Sequence, residues 1–431
     1  MSADAATFRQ RRGYTWFVLG MLCFVYVLNF LDRQLLSILA KPIQDDLGVT
    51  DGQLGRLGGL YFALFYCTIS IPVAWLADRS NRVKVVSIAC ALWSAATIAC
   101  GLSTTYPQLV MARMAVGVGE AGGVPPSYSI ISDYFPAERR GMALSLFNLG
   151  PPLGQALGVA FGAKIAAAYD WRLAFILLGG VGVVTAAVFA LSVREPKRGA
   201  KDVVAPVADT VAATAQSFGS IIRMFFARPV LRLTALASGA TQFVTYAMLN
   251  FTTLFLMREK GMTLDQIAIW YALLLGIAVS AGIWSSGWLI DRFGPRSRQA
   301  YAIVPAVALM LAVPFFIGFV HAPSWPVAML FLIGPTFFNF FYLSPAVAVV
   351  QNSVTAAQRT VSSALLLFVM NMIGLGLGPT FLGAMSDWFR ASHPDNPLQL
   401  AFYSLIPFYL VAILLHLMVA RALRREQAAA Q

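Results

Sequence analysis

Apolar segments long enough to cross a bilayer recur along almost the whole chain, and this recurrence leaves few folds open. A helical span needs about 20 mainly apolar residues, and twelve such segments can be placed, at approximately 14–40, 53–77, 83–102, 107–132, 141–168, 171–193, 230–257, 265–290, 299–320, 325–352, 360–387 and 398–420. Inside a bilayer every backbone N–H and C=O must be satisfied within the protein, which confines segments of this length to α-helices. With 58% hydrophobic and 12% charged residues and a mean hydropathy of +0.71, the chain is too apolar for a soluble domain. The expected fold class is an all-α polytopic membrane protein of twelve transmembrane helices.

The net charge of +12 would suit a nucleic-acid binder if it were gathered on one surface, but the basic residues stand in short clusters between the spans. They read as topology signals, and no nucleic-acid partner is expected. Twelve spans put both termini on one side. That side carries Arg79, Arg82, Lys84, Arg139, Arg140, Arg194, Lys197 and most of the other basic residues, whereas the opposite side has only Lys41, Arg56, Lys164, Arg172, Arg258, Lys260 and Arg390. The positive-inside rule therefore predicts both termini in the cytoplasm, in the plasma membrane, which for a bacterium is the inner membrane. The first span is expected to be retained, because no small-residue cleavage pattern closes it. A polar insert at roughly 194–229 divides the chain into halves, 1–193 and 230–431. Its later part, Ser217 to Arg228, fits either an interfacial helix or a plain tether.

Chemistry beyond packing is expected of few polar residues. Cys23, Cys67, Cys90 and Cys100 lie inside apolar segments, and His321, His393 and His416 have no partner at ligand spacing. Neither a metal site, a cofactor nor an enzyme's nucleophile constellation is predicted. The informative residues are charges within spans, because an ionisable side chain at a helix centre costs roughly 2.5 kcal/mol or more and normally faces protein or a watery cavity. Arg113 and Glu120 lie seven residues apart, about two turns, on one face of the fourth span. Counted from the outer ends of their spans, Asp32 lies at roughly 12 Å and Arg113 at roughly 9 Å, so the two are expected to pair, while Arg33 points about 100° away. Glu120 lies deeper, roughly 20 Å in, among glycines that admit a neighbouring helix and just before Pro125 and Pro126, which bend or open its own.

An acid poised between burial, which favours its neutral form, and an arginine, which favours its charged form, can load and release a proton. Asp32 and Glu120 are therefore the candidate proton carriers, with a proton as the coupling ion and Arg113 as partner or anion anchor. A static ion pair is the competing reading. Arg33 is a second candidate anion ligand. Tyr246, Asn250, Asn339 and Asn371 are polar residues inside later spans that serve either as cavity contacts or as interhelical hydrogen bonds.

The two halves echo each other. Ala74-Trp75-Leu76-Ala77-Asp78-Arg79-Ser80-Asn81-Arg82 ends the second span, and Gly287-Trp288-Leu289-Ile290-Asp291-Arg292-Phe293-Gly294-Pro295-Arg296 ends the eighth. This resembles the loop signature of the major facilitator superfamily, Gly-x-Leu-x-Asp-Arg-x-Gly-Arg, with Ala74 and Asn81 in place of glycines. The resemblance implies two six-helix bundles around a central cavity and a cytoplasmic gate formed by Asp78, Arg79, Arg82, Asp291 and Arg292. More narrowly, Gly117-Val118-Gly119-Glu120-Ala121, Pro126, Asp133, Tyr134-Phe135-Pro136 and Arg140, with Asn29-Phe30-Leu31-Asp32-Arg33, resemble Spinster-type transporters. That resemblance adds Asp133 and Arg140 to the gate. It implies an amphiphilic substrate such as a lysophospholipid or sphingosine-1-phosphate, handled by a monomer among membrane lipids. The alternative is a proton-linked symporter of a small organic anion.

Overall fold

The computed structural model describes residues 3–197, 218–355 and 358–429, excluding the side chains of 3–12, 78, 137, 138, 218, 360 and 429. Among the described residues every regular element is helical. The first stretch runs α1 (Ala3–Ile38), α2 (Ala40–Leu47), α3 (Asp51–Gly58), α4 (Leu60–Arg79), α5 (Arg82–Gly101), α6 (Tyr106–Glu120), α7 (Val124–Tyr134), α8 (Ala137–Phe147), α9 (Gly150–Ala168) and α10 (Trp171–Ser192). The second runs α11 (Phe218–Ala227), α12 (Pro229–Arg258), α13 (Leu264–Gln266), α14 (Ala272–Phe293), α15 (Ala300–His321), α16 (Trp325–Phe338), α17 (Leu343–Ser353), α18 (Arg359–Asn371), α19 (Gly378–Arg390), α20 (Pro397–Tyr403) and α21 (Ile406–Ala429). Two π-helical turns, Ile267–Tyr271 and Met372–Leu377, interrupt the second stretch.

Nine helices among the described residues are long and apolar enough to cross a membrane. The expected fourth and fifth spans and α12 fall outside that criterion. The fourth breaks after Glu120, where Gly122 and Gly123 close only i to i+3 bonds and α7 restarts on a proline in its first turn. The fifth breaks at Asn148 and Leu149, between α8 and α9. The α12 segment is long but threaded with Thr, Ser, Gln and Asn.

The contacts resolve two compact units, Met1–Leu35 with Phe65–Val207, and Leu36–Leu64 with Ala208–Gln431. In the first, α5 lies between α6 and α10. Close approach there requires glycine: a Cβ at Gly119 would stand 2.5 Å from the Trp93 backbone nitrogen. In the second, α12 is the central helix, packed on α18, α19, α21 and the π turn between α18 and α19. The expected helix in the insert is α11, whose Phe225 is buried in a cluster with Leu231, Tyr342 and Leu366, so it is docked rather than slack. Residues 198–217 of the insert lie outside the described residues.

A single carboxylate organises one end of the second unit. Asp51, fully buried at the start of α3, accepts from Arg258 Nη2 at 2.9 and 3.0 Å, Arg390 Nη2 at 2.6 Å, Ser386 Oγ at 2.6 Å and Gln44 Nε2 at 2.6 Å. Asp387 in turn caps α3 by accepting from the Asp51 and Gly52 amides at 3.0 and 2.8 Å. Four segments, α2, α3, α12 and α19, therefore meet on one buried charge. Nothing in the spacing of Asp51, Arg258 and Arg390 along the chain announces this; the only hint is that acids and arginines share a sparsely basic side.

Removing one partner of a buried ion pair strands the other and typically costs about 3–5 kcal/mol. Asp51→Asn, which leaves Arg258 and Arg390 without their carboxylate, is expected to lower the thermal unfolding midpoint of the detergent-solubilised protein by several degrees. Arg390→Gln should cost clearly less, because Arg390 is 44% accessible and Arg258 still holds Asp51. Equal shifts for the two variants would show that Asp51 is not the centre of the cluster.

Candidate functional site

Four ionisable residues of the first unit form two adjacent pairs. Asp32 and Arg113, each only 2% accessible at the side chain, are joined by Arg113 Nη1 donating to Asp32 Oδ2 at 3.1 Å. The other carboxylate oxygen, Oδ1, accepts from Thr97 Oγ1 at 2.8 Å, which brings α5 into the pair between α1 and α6. This is the partner that equal depth selects.

Glu120 does not bond Arg113. Two turns of one helix separate them by about 10 Å along the axis, too far for a hydrogen bond. Its partner is Arg33, whose Nε donates to Glu120 Oε2 at 2.6 Å. Glu120 is fully buried, while the Arg33 side chain keeps 14% of its surface. Glu120 Oε1 has no hydrogen-bond partner among the described residues. A buried carboxylate with one oxygen satisfied and one not is costly to keep charged. Glu120 is also the last residue of α6, so the acid sits where the helix opens.

The guanidinium of Arg33 lies over two rings, with its carbon 4.9 Å from the Phe30 centroid and 4.7 Å from that of Tyr66. Phe30 is one turn back on α1 and Tyr66 belongs to α4. Neither ring carries a charge at neutral pH, so the pattern of charged residues along the chain does not point to them.

The other expected positions divide. Arg82, 98% buried, donates to Asp133 at 2.5 Å, Ser129 at 2.6 Å, Glu195 at 2.7 Å and the Pro196 carbonyl at 3.1 Å. Glu195 also accepts from the Val83 amide at 2.9 Å. Glu195 is absent from the residues expected from the sequence, although an acid among the basic residues that follow the sixth span was its available signal. Arg140 donates to the Ser132 carbonyl at 2.8 Å, and Arg79 stacks over Trp75 at 4.2 Å. Asp291 and Arg292 are exposed, and the side chain of Asp78 lies outside the described residues.

In the second unit Asn339 is buried and exchanges hydrogen bonds with Tyr409 at 3.0 and 3.2 Å, tying α16 to α21. Of its two expected roles, the interhelical bond is the one present. Asn371 accepts from Gln242 Nε2 at 3.0 Å, at the entry to the second π turn, and Asn250 donates to the Tyr246 carbonyl at 3.0 Å. Gln242, Tyr246 and Asn250 follow at four-residue intervals and share one face of α12. Gln242 was also missed, although that spacing was legible.

A family model described as Major Facilitator Superfamily matches residues 22–379. An MFS-type efflux pump of Mycolicibacterium smegmatis is 31% identical over 86% of this chain and 84% of its own. The hexuronate transporter of Bacillus subtilis is 25% identical over 84% and 85%. The crystal structure of a bacterial homologue of the human lysosomal transporter Spinster, inward-facing and unoccupied, superposes with a TM-score of 0.86 at 28% identity, over 96% of this chain and 98% of that one. This chain belongs to the major facilitator superfamily of membrane transporters and resembles its Spinster group.

Proposed function

We propose that the protein is a proton-coupled carrier of an amphiphilic substrate with an anionic headgroup, a lysophospholipid or sphingolipid-like molecule. It works by alternating access, with twelve spans, as a monomer in a bacterial inner membrane with both termini cytoplasmic. The observation that carries the reading is the buried, half-satisfied Glu120 against the partly accessible Arg33.

An anionic headgroup and Glu120 compete for one guanidinium. When Glu120 is ionised it holds Arg33; when it takes a proton its hold weakens, and the partly accessible Arg33 binds the headgroup. Proton and anion then load together and leave together. Arg113 is too buried to meet a substrate, and Asp32 with Arg113 acts as the lock that fixes α1 to α6 beside this switch. Within the second unit, Tyr246, Asn250 and Asn371 are the neutral polar residues available for hydrogen bonding to substrate. Arg82, Asp133 and Glu195, with Arg79 and Arg140, are the first unit's part of a cytoplasmic gate, and Asp291 with Arg292 the second unit's part. The resemblance to the Spinster group supports the lipid-like substrate. The second reading, a proton-linked symporter of a small organic anion, is supported by the similarity to a hexuronate transporter and uses the same Arg33 and Glu120.

In proteoliposomes, a labelled lysophospholipid should accumulate against its gradient when the trans compartment is alkaline. Glu120→Gln should abolish the accumulation while sparing counterflow exchange. Accumulation of a hexuronate but not of the lysophospholipid would transfer the assignment to the second reading, and flux indifferent to both pH and Glu120 would sink the switch.

For the lock, Asp32→Asn and Arg113→Gln should each lower the unfolding midpoint by several degrees. The double variant, which strands neither charge, should recover much of the loss. Additive losses would exclude a purely structural pair and return Asp32 to the proton carriers.

A further inference from the structure

We propose that one end of the second unit is a binding surface for anionic phospholipid, gripped by the arginines of the α11–α12 corner and of the last turns of α21. Neither Arg33 nor Glu120 takes part in it.

Six basic residues gather there: Arg223 on α11, Arg228 and Arg232 at the start of α12, and Arg421, Arg424 and Arg425 near the end of α21. Nearly two hundred positions separate the two groups in the chain, but packing brings them to one end of the unit. Val230 and Ala237 of α12 are buried in one cluster with Val419, Ala420 and Leu423 of α21. Arg228 donates through Nη2 to Glu426 Oε1 at 3.1 Å and through Nη1 to the Ser353 carbonyl, which closes this seam. Phe225 fixes α11 against Leu231 of α12, and Arg232 Nη1 reaches the Phe226 carbonyl at 3.3 Å.

This charge is not balanced within the unit. Glu426 is the sole acid in 218–232 and 421–429, and among the described residues Arg228 alone of the six has a carboxylate partner. Arg223, Arg232, Arg421, Arg424 and Arg425 are exposed. The cluster on Asp51 is the opposite case, since Arg258 and Arg390 both meet a carboxylate there. Like charges gathered at one end repel one another, and a bound anion relieves the repulsion.

The apolar residues beside the arginines select the kind of anion. Leu414 and Met418 are exposed and lie on the face of α21 that ends in Arg421 and Arg425, each three or four residues from the next. On α12 the exposed Leu236 stands one turn beyond Arg232. On α11 the exposed Phe226 follows Arg223 by three residues, while Ile221 and Phe225 are buried. An apolar stripe that runs into a basic end fits acyl chains below a phosphate, and a soluble anion has no use for the stripe. All six cations are arginine, whose planar fork takes two phosphate oxygens at once, whereas lysine serves a topology signal equally well. The occupant is therefore a diacyl phospholipid with a negative phosphodiester headgroup, such as phosphatidylglycerol. Each arginine near such a headgroup corresponds to about a fivefold change in affinity.

The test uses the full-length protein in detergent, with dioleoylphosphatidylglycerol, dioleoylphosphatidylcholine or inorganic phosphate added. Phosphatidylglycerol should raise the thermal unfolding midpoint by several degrees and stay bound in native mass spectrometry, and the other two should do neither. Combining Arg421→Gln, Arg424→Gln and Arg425→Gln should weaken its retention about tenfold or more. Arg296→Gln with Arg298→Gln, which removes charge elsewhere on the unit, should leave retention at the wild-type level. Arg421→Lys, Arg424→Lys and Arg425→Lys together keep the charge and hence the topology, and should still bind several-fold more weakly than the wild type. Arg33→Gln should retain the lipid, which separates this surface from the carrier site. Equal retention of phosphatidylcholine, stabilisation by inorganic phosphate alone, or undiminished retention in both triple variants overturns the site. So does a matching loss in the Arg296 and Arg298 variant or in Arg33→Gln.

Discussion

The structure of the first unit depends on how charge is kept inside a membrane protein. Asp32, Arg113 and Glu120 are buried and Arg33 nearly so, and each would be too costly alone. The chain meets this in two ways. Asp32 and Arg113 neutralise each other with help from Thr97, so that both oxygens of the Asp32 carboxylate have donors. Glu120 and Arg33 form an open pair, in which one carboxylate oxygen lacks a partner and the guanidinium leans on rings. A carboxylate with both oxygens bonded resists change, which suits the lock proposed above. A carboxylate with one oxygen unbonded is the arrangement that the proposed proton switch calls for.

The second unit uses charge differently. Around Asp51 a carboxylate collects donors from three other segments, and Asp387 caps the same helix start. Residues 36–64, which precede the main body of the first unit in sequence, take their contacts from the second unit through this cluster and through Ser37, which donates to the carbonyls of Leu249 and Asn250. That unit also pairs neutral side chains, as in Asn339 with Tyr409 and Gln242 with Asn371.

Helix breaks serve this arrangement. Glu120 ends α6 because the glycines and prolines after it cannot continue the helix, and the same glycines let Trp93 and Ala89 of α5 approach. A continuous helix would hold the acid in a regular turn; the break places it at an end, beside Arg33. The π turn after Asn371 follows the same logic, since π turns mark places where a helix departs from regular hydrogen bonding and often lie at functional sites.

Much of this was legible in the chain. Hydropathy alone fixes a polytopic helical membrane protein, because backbone polar groups in a bilayer have no other solution, and the doubled Asp-Arg motif fixes the superfamily resemblance. Depth along a helix follows from 1.5 Å per residue, so the pairing of Asp32 with Arg113 could be reasoned from residue counts. Azimuth could not. Which residue of α1 meets Glu120 depends on how the neighbouring helices are rotated, and rotation is set by packing, such as the contact of Gly119 with Trp93. For the same reason the Tyr66 ring beside Arg33, the role of Glu195 beside Arg82 and the gathering of Arg258 and Arg390 on Asp51 were decided only by the tertiary structure. They join residues tens to hundreds of positions apart, and no local pattern encodes such a meeting.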